Sequence, residues 1–189
     1  MTQLSAGETF DITATRIRMG IGWDKDPGAG YARTGRREVD LDATALEFTG
    51  AQLFDVAFYN SLETRDGAVT HQGDNQSGSG EGDDEAILVD LARVHAPVDT
   101  ILFLVSSYLG QSLAWVANAY CRLVDEETDE ELARFTLTYS TEETGAVLAL
   151  LRRSTDASAT SGWTLHAVGE GVAISVPTEG LAKLTRFVK

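Results

Sequence analysis

Short runs of β-branched, aliphatic and aromatic residues recur along almost the whole chain, and they restrict the folds that it can adopt. Clusters rich in Gly, Pro or Asp separate these runs, which is the pattern expected of strands and turns. Many short strands joined by frequent turns favour a sandwich or a barrel. We therefore predict an all-β protein. The runs cover residues 15–23, 40–48, 53–59, 86–94, 99–108, 117–125 and 132–140.

Helix signals are few. Residues 112–120 could form one or two helical turns, and residues 140–153 open with Ser140 and Glu143 in the spacing of a capping box. Gly145 interrupts that segment, and the alternating run 163–168 follows a polar turn. We therefore favour a β-hairpin over a helix here and predict few short helices in the whole protein.

Length and composition indicate a single domain, residues 1–189, with 43% hydrophobic residues. The one cysteine, Cys121, cannot form an intramolecular disulfide. The N-terminal residues lack the basic and apolar regions of a signal peptide, and the apolar runs are too short to span a bilayer. We expect a cytoplasmic protein.

The formal net charge of −14 argues against nucleic acid and anionic lipid surfaces as partners and favours cations or basic protein faces. Much of the basic charge lies in segment 24–39, which contains Arg33, Arg36 and Arg37. This segment is either a solvated loop or a contact to an acidic surface, of a partner or of the protein itself.

The stretch "GDNQSGSGEGDDE", residues 73–85, places acids among glycines and serines with no Lys or Arg. Glycines allow sharp turns, so the carboxylates can converge on a hard cation that prefers oxygen ligands. The many oxygen donors favour Ca²⁺ first, with Mg²⁺ or Mn²⁺ second, and the absence of His and Cys argues against zinc or copper. The alternative is a soluble, disordered acidic loop.

Two familiar loop motifs do not fit this stretch. With Asp74 at the first position of an EF-hand loop, Ser79 occupies the position that requires glycine, and a strand pattern follows. A dinucleotide-binding loop is excluded because the third glycine is missing and the consecutive acids would repel pyrophosphate.

Three further oxygen donors precede the acidic stretch. Asp40 and Asp42 are two residues apart in a strand pattern, so both side chains leave the same face, and Asn60 follows a predicted strand. The alternative interpretation is that the two aspartates form the solvated side of a strand. They become candidate ligands only if the fold brings them beside the acidic loop.

Five motifs of the chain carry a resemblance to a known family. They are "GIGWD" (20–24), "DLDATA" (40–45), "FYNS" (58–61), "DGAVTHQGDNQSGSGEGDDE" (66–85) and "RLVDEETDEELARFTL" (122–137). Together they resemble the TerD family of bacterial tellurium-resistance and general stress proteins, and the likeness runs in order from residue 4 to residue 172.

The resemblance implies a β-sandwich of two mainly antiparallel sheets with a long acidic calcium-binding loop. It also implies a calcium site, with one or two Ca²⁺ ions, at this loop and the nearby strand ends. Ser61, Ser79 and Glu81 depart from residues common in the family, which leaves the number and affinity of sites open. The ligands carried over by matching motifs are Asp24, Asp40, Asp42, Asn60, Asp74, Asp83, Asp84 and Glu85.

Two other residues carry specific hypotheses. His71 precedes the acidic stretch and is either a donor that orients Asp74 or an ordinary strand-end residue. Cys121 is expected to be a small core residue, since no basic neighbour in the sequence would stabilise a thiolate.

The leading functional hypothesis is a non-enzymatic calcium-binding stress-response protein in which Ca²⁺ orders the acidic loop and switches association with protein partners. The partners would belong to a stress-response complex, a membrane-bound one being an option, and weak homo-oligomers are compatible with it. One alternative is an enzyme that uses Mg²⁺ or Mn²⁺ for phosphoryl chemistry, but no base, nucleophile or phosphate-binding motif is evident. The other is a metal-independent interaction module of the same fold.

Overall fold

The computed structural model describes residues 1–25, 40–73, 82–136, 143–154 and 161–189, and strands dominate this part of the chain. Asp74 and the arginines at 33, 36 and 37 lie outside the described residues. The strands are β1 (Thr2–Gln3), β2 (Thr9–Asp11), β3 (Arg16–Lys25), β4 (Leu41–Thr49), β5 (Gln52–Ala57), β6 (Val69–His71), β7 (Glu85–Asp90), β8 (Thr100–Ser107), β9 (Val116–Asp125), β10 (Glu131–Thr136), β11 (Gly145–Arg153) and β12 (Trp163–Val172).

The strands form two six-stranded sheets. The first sheet has the order β1-β10-β9-β3-β7-β6, and the second has the order β2-β12-β11-β8-β4-β5. β1 pairs with β10 in parallel, and the other pairings in the described chain are antiparallel. The all-β prediction is therefore confirmed, with two mainly antiparallel sheets and few short helices.

Alternation along the strands builds the core between the sheets. Ile17, Met19 and Ile21 of β3 point into the same buried cluster as Ala43 and Ala45 of β4. The second sheet is buried on both faces, because the intervening residues of its strands join a second apolar cluster on the far side. Because both faces of this sheet are buried, the sequence of β8 is a largely continuous apolar run and does not alternate between apolar and polar residues.

A C-terminal helix, α1 (Leu181–Val188), covers the far side of the second sheet. Leu184 and Val188 are buried there, and Leu181 packs against the same cluster. Their spacing of three and four residues produces one apolar helix face. The sequence interpretation did not identify this helix, because its apolar pattern spans only two turns.

The hairpin preferred for residues 140–168 is confirmed, since β11 pairs with β12 in antiparallel register. Residues 112–120 contain one 3-10 turn (Leu113–Trp115), capped by Ser112, before β9 begins. Within the described ranges, no helix is long and apolar enough to cross a membrane.

Candidate metal site at the acidic end of the sandwich

One end of the sandwich collects the predicted acidic ligands. β3 ends there and β7 starts there, because Ile21 pairs with Glu85. β4 starts at the same end, since a Glu85 carboxylate oxygen accepts a hydrogen bond from the Ala43 N–H. We call this the acidic end; its described ligand candidates are Asp24, Asp40, Asp42, Asn60, Asp83, Asp84 and Glu85.

Asp24 and Asp84 lie together where β3 ends. The Asp84 backbone N–H donates to the Ile21 carbonyl at 2.8 Å, and its carboxylate accepts from the Trp23 N–H at 2.9 Å. Burial raises the pKa of Asp84; the Trp23 N–H opposes this, and the charges of Asp24 and Asp83 raise it further. The Asp84 carboxylate is therefore close enough to Asp24 and to Asp83 to be repelled by both, and a bound cation would relieve this repulsion.

Asp83 makes a bidentate ion pair on the outer face of the first sheet. The Arg122 Nε donates to Oδ1 at 2.6 Å, and Nη2 donates to Oδ2 at 3.0 Å. Arg122 also donates to Glu131 at 3.2 Å, and the Tyr120 hydroxyl donates to the Gly82 carbonyl at 2.7 Å. Asp83 therefore has a structural cation of its own, which the sequence interpretation missed.

Glu85 joins the two sheets. Its carboxylate is buried and accepts from Ala43 N–H of β4 at 2.5 Å, although Glu85 itself belongs to β7. The buried His71 places Nε2 at 3.5 Å from the same carboxylate, while its Nδ1 accepts from Gly73 N–H. His71 therefore contacts Glu85, and its proposed contact to Asp74 lies outside the described residues.

Asp42 is buried at the beginning of β4, with 3% of its surface exposed. The interpretation that Asp40 and Asp42 form a solvated strand side is therefore wrong for Asp42, because this sheet is covered on both faces. Burial and then the Asp42 charge raise the pKa of Tyr59, so the aspartate lies near the turn that contains Asn60. Asn60 itself is exposed.

Three aromatic and aliphatic side chains, two of them exposed, flank these aspartates, and the sequence interpretation did not identify them. The Tyr59 and Tyr108 rings meet edge to face, with centroids 5.6 Å apart, and the Tyr108 N–H donates to the Asp40 carbonyl. Tyr108 is 54% exposed and Leu109 is 67% exposed. We call Tyr59, Tyr108 and Leu109 the aromatic rim. The position of the aromatic rim beside Asp40 depends on strand register, which the sequence pattern alone does not reveal.

The donor set at the acidic end suits calcium chemically, because it consists of carboxylate, amide and backbone oxygens. Alternation nevertheless divides the predicted ligands between faces. Asp83 lies outside the first sheet, Glu85 lies between the sheets, and Asp42 shares the far side of the second sheet with Leu46. Within the described ranges, no three His, Cys, Asp or Glu side chains are arranged to hold a metal.

Comparison with known proteins places the chain among relatives of similar length. It is 41% identical to tellurium resistance protein TerZ of Serratia marcescens over 160 residues, covering 82% of this chain and 79% of that protein. It is 35% identical to general stress protein 16U of Bacillus subtilis (strain 168) over 183 residues, covering 89% of each chain.

The fold is shared with a solved structure. A crystal structure of a homologue of telluride resistance protein (TerD) from Streptomyces coelicolor A3(2) superposes with a TM-score of 0.71 at 16% identity, covering 91% of this chain and 98% of the other. The TerD domain model matches residues 1–186. The chain therefore belongs to the TerD family.

Proposed function

We propose that this protein is a cytoplasmic, non-enzymatic calcium-binding protein of a bacterial stress response, and that Ca²⁺ binds at the acidic end. The observation that carries the proposal is the crowding of Asp24, Asp83 and Asp84 where β3 ends and β7 begins. The names of the relatives, which refer to tellurium resistance and general stress, support the stress-response part.

Asp24 and Asp84 are the described residues best suited to contact the ion. Asp24 is exposed and, within the described part of the chain, accepts one hydrogen bond, from the Asn118 side chain, so carboxylate lone pairs remain for a cation. Asp83 and Glu85 already hold Arg122 and the Ala43 N–H, and we assign them mainly to fixing the geometry around the site. Asp74 would complete the ligand set, with one or two ions bound.

Calcium would neutralise carboxylates that otherwise repel one another, and this would fix the strand ends against each other. We propose that this rigid end associates with protein partners, for which the aromatic rim supplies apolar contact area. The net charge of −14 favours basic protein faces over nucleic acid as partners. Weak self-association is compatible with this proposal.

The test is calorimetric titration of the chelator-treated protein with Ca²⁺, without and with excess Mg²⁺. We expect saturable binding that survives Mg²⁺, with a stoichiometry of one or two ions. Asp84→Asn should weaken binding at least tenfold, because it removes a ligand charge from the crowded end. The absence of saturable binding in the wild-type protein would contradict the proposal.

A matched control separates ligand loss from the change in overall charge. Glu130 is exposed on the β9–β10 turn, so Glu130→Gln alters the net charge by the same unit as Asp84→Asn. We expect Glu130→Gln to bind Ca²⁺ like the wild-type protein. Equal weakening by both variants would mean that calcium responds to net charge rather than to a site.

A metal-independent interaction module is the second candidate, and one observation favours it. The described carboxylates Asp83, Asp84 and Glu85 all accept hydrogen bonds from protein donors, which can stabilise the acidic end without an ion. In this case, association through the aromatic rim would be equal in chelator and in Ca²⁺. Sedimentation of the protein with its co-purifying partners under both conditions would separate the candidates.

A further inference from the structure

Glu47 is a buried acid that the acidic end does not use. It lies in the second half of β4, where the alternation that puts Ala43 and Ala45 between the sheets also directs Glu47 inward. Its neighbours in register are Ile101 on β8 and Asp55 on β5. A carboxyl group thus occupies a strand position at which the alternation predicts an apolar core residue.

The Glu47 carboxyl is buried without a hydrogen bond of normal geometry or an ion pair within the described residues. The residue is 0% exposed, and neither carboxyl oxygen has a hydrogen-bond partner within the described residues. An ionised carboxylate in such a place is strongly disfavoured unless it is paired or hydrogen-bonded. The neutral acid is the form that this environment tolerates.

The charged groups around Glu47 come from β5 and from the turn that precedes β6. Asp55 lies directly opposite on β5, and Asp66 adds a second negative charge. Arg65 is the nearby cation, but it donates to Asp55 from its backbone N–H at 2.7 Å and from Nε at 3.1 Å. On β8 the facing residue, Ile101, is apolar. The positive charge is therefore committed to Asp55.

Asp66, the acid of the turn itself, accepts hydrogen bonds from several donors. The Asp66 carboxylate accepts from the Thr64 hydroxyl at 2.8 Å, from Ala68 N–H at 3.0 Å and from His95 N–H at 2.8 Å. Burial alone would raise the pKa of Asp66, but these donors together stabilise the ionised form, and the pKa is lowered overall. Asp66 thus remains charged close to Glu47.

The Thr64 hydroxyl lies near two carboxyl groups, those of Asp66 and Glu47. It has one hydrogen, which points to Asp66, and two lone pairs, one of which accepts from Val69 N–H at 3.1 Å. The hydroxyl also lowers the pKa of the Glu47 carboxyl, but it has only this one hydrogen to donate. Ionised Glu47 would therefore compete with Asp66 for it.

We propose that Glu47 is a buried proton-binding site that fastens the turn 63–68 to the edge of the sandwich. When the turn opens, the Glu47 carboxyl becomes solvated and releases its proton to water. Opening is therefore coupled to proton release, and a rise in pH favours the open turn.

The direction of the pKa agrees with this geometry. The pKa of Glu47 is raised from 4.5 to about 8, first by burial and then by the charges of Asp66 and Asp55, while Thr64 and Arg65 act in the opposite direction. An acid whose pKa is higher in the closed form binds more protons there than in the open form. The closed form thus has its full stability below pH 4.5 and loses it as the pH rises to about 8.

The experiment is amide hydrogen exchange at Ala68, Val69 and His95, corrected for intrinsic rates, in the wild-type protein and in Glu47→Gln. In the wild type, we expect the opening constant to rise about tenfold per pH unit between pH 4.5 and pH 8, then to level off. The neutral Gln should remove this rise, leaving a flat profile.

Glu63→Gln is the matched control, because Glu63 is an exposed carboxyl of the same turn. This variant should retain the wild-type pH profile. An identical pH dependence in wild type and Glu47→Gln would overturn the proposal, and so would a flattened profile for global unfolding without a change at the three amides.

A second measurement covers the case in which Glu47→Gln does not fold. The carboxyl carbon of Glu47 in the wild-type protein can be titrated by carbon-13 NMR. A midpoint several units above 4.5 supports the proton-binding site. A midpoint near 4.5 overturns it, because the carboxyl would then be ionised in the closed turn.

Discussion

Gly20 lies directly beneath the Asp83 carboxylate on the outer face of the first sheet. A Cβ atom at Gly20 would overlap both carboxylate oxygens, and a Cβ at Gly22 would overlap the Tyr120 ring. The two glycines of "GIG" therefore leave space for the Asp83–Arg122 ion pair and for Tyr120, and neither is needed here for an unusual backbone angle.

Gly20→Ala should destabilise the protein by about 1–3 kcal/mol, because Asp83 must move away and weaken its pairing with Arg122. Chemical denaturation would measure this change. The double variant Gly20→Ala/Asp83→Ala should lose less stability than the sum of the two single variants, since Asp83→Ala removes the overlap. Additive losses would show that the contact does not limit stability.

The same residues show what sequence reasoning could reach at this scale. The acidic stretch identified Asp83 and Asp84 as a pair of interest, because charge and glycine content are local properties. It could not identify Arg122, which lies 39 positions away and meets Asp83 only through the register of β3 between β7 and β9. Buried Glu47 was not identified, because its burial depends on contacts with other strands.

Secondary-structure elements could be predicted from the sequence more readily than the contacts between them. The runs that form β3, β4, β8 and β9 could be recognised from the sequence, because strand periodicity is a property of consecutive residues. The burial of both faces of β4 was not recognisable, since it depends on α1, which lies far along the chain. Asp42 is accordingly buried, in contrast to the alternative interpretation that placed it on a solvated side of the strand.

Leu184 of α1 packs in the apolar cluster on the far side of the second sheet and is 0% exposed. Leu184→Ala should lower the free energy of unfolding by about 2–5 kcal/mol, because it removes buried apolar atoms and leaves a cavity. Urea denaturation would report this loss.

Ala182→Ser, at an exposed position of the same helix, is the control and should change stability by less than about 0.5 kcal/mol. Comparable effects of Ala182→Ser and Leu184→Ala would indicate that the burial of Leu184 contributes little to the stability of the protein. The sheet could then retain its structure without this cover.

At the scale of the whole molecule, a net charge of −14 affects stability in two distinct ways. Dispersed carboxylates repel one another, and any dissolved salt screens this repulsion. A specific calcium site would add a second contribution, because an ion that binds the folded but not the unfolded protein stabilises it by RT ln(1 + L/Kd), where L is the free ion concentration. The two contributions differ in their dependence on ion identity.

Calcium should therefore stabilise the protein more than an equal ionic strength of KCl. At a free Ca²⁺ concentration about 100 times the dissociation constant, the added stabilisation should be about 2.7 kcal/mol for one site. Denaturant unfolding in chelator, in ionic-strength-matched KCl and in Ca²⁺ would measure it. Asp84→Asn should lose most of the calcium-specific part while keeping the response to KCl. If KCl and Ca²⁺ stabilise equally, screening accounts for the whole effect, and the acidic end does not function as a calcium site.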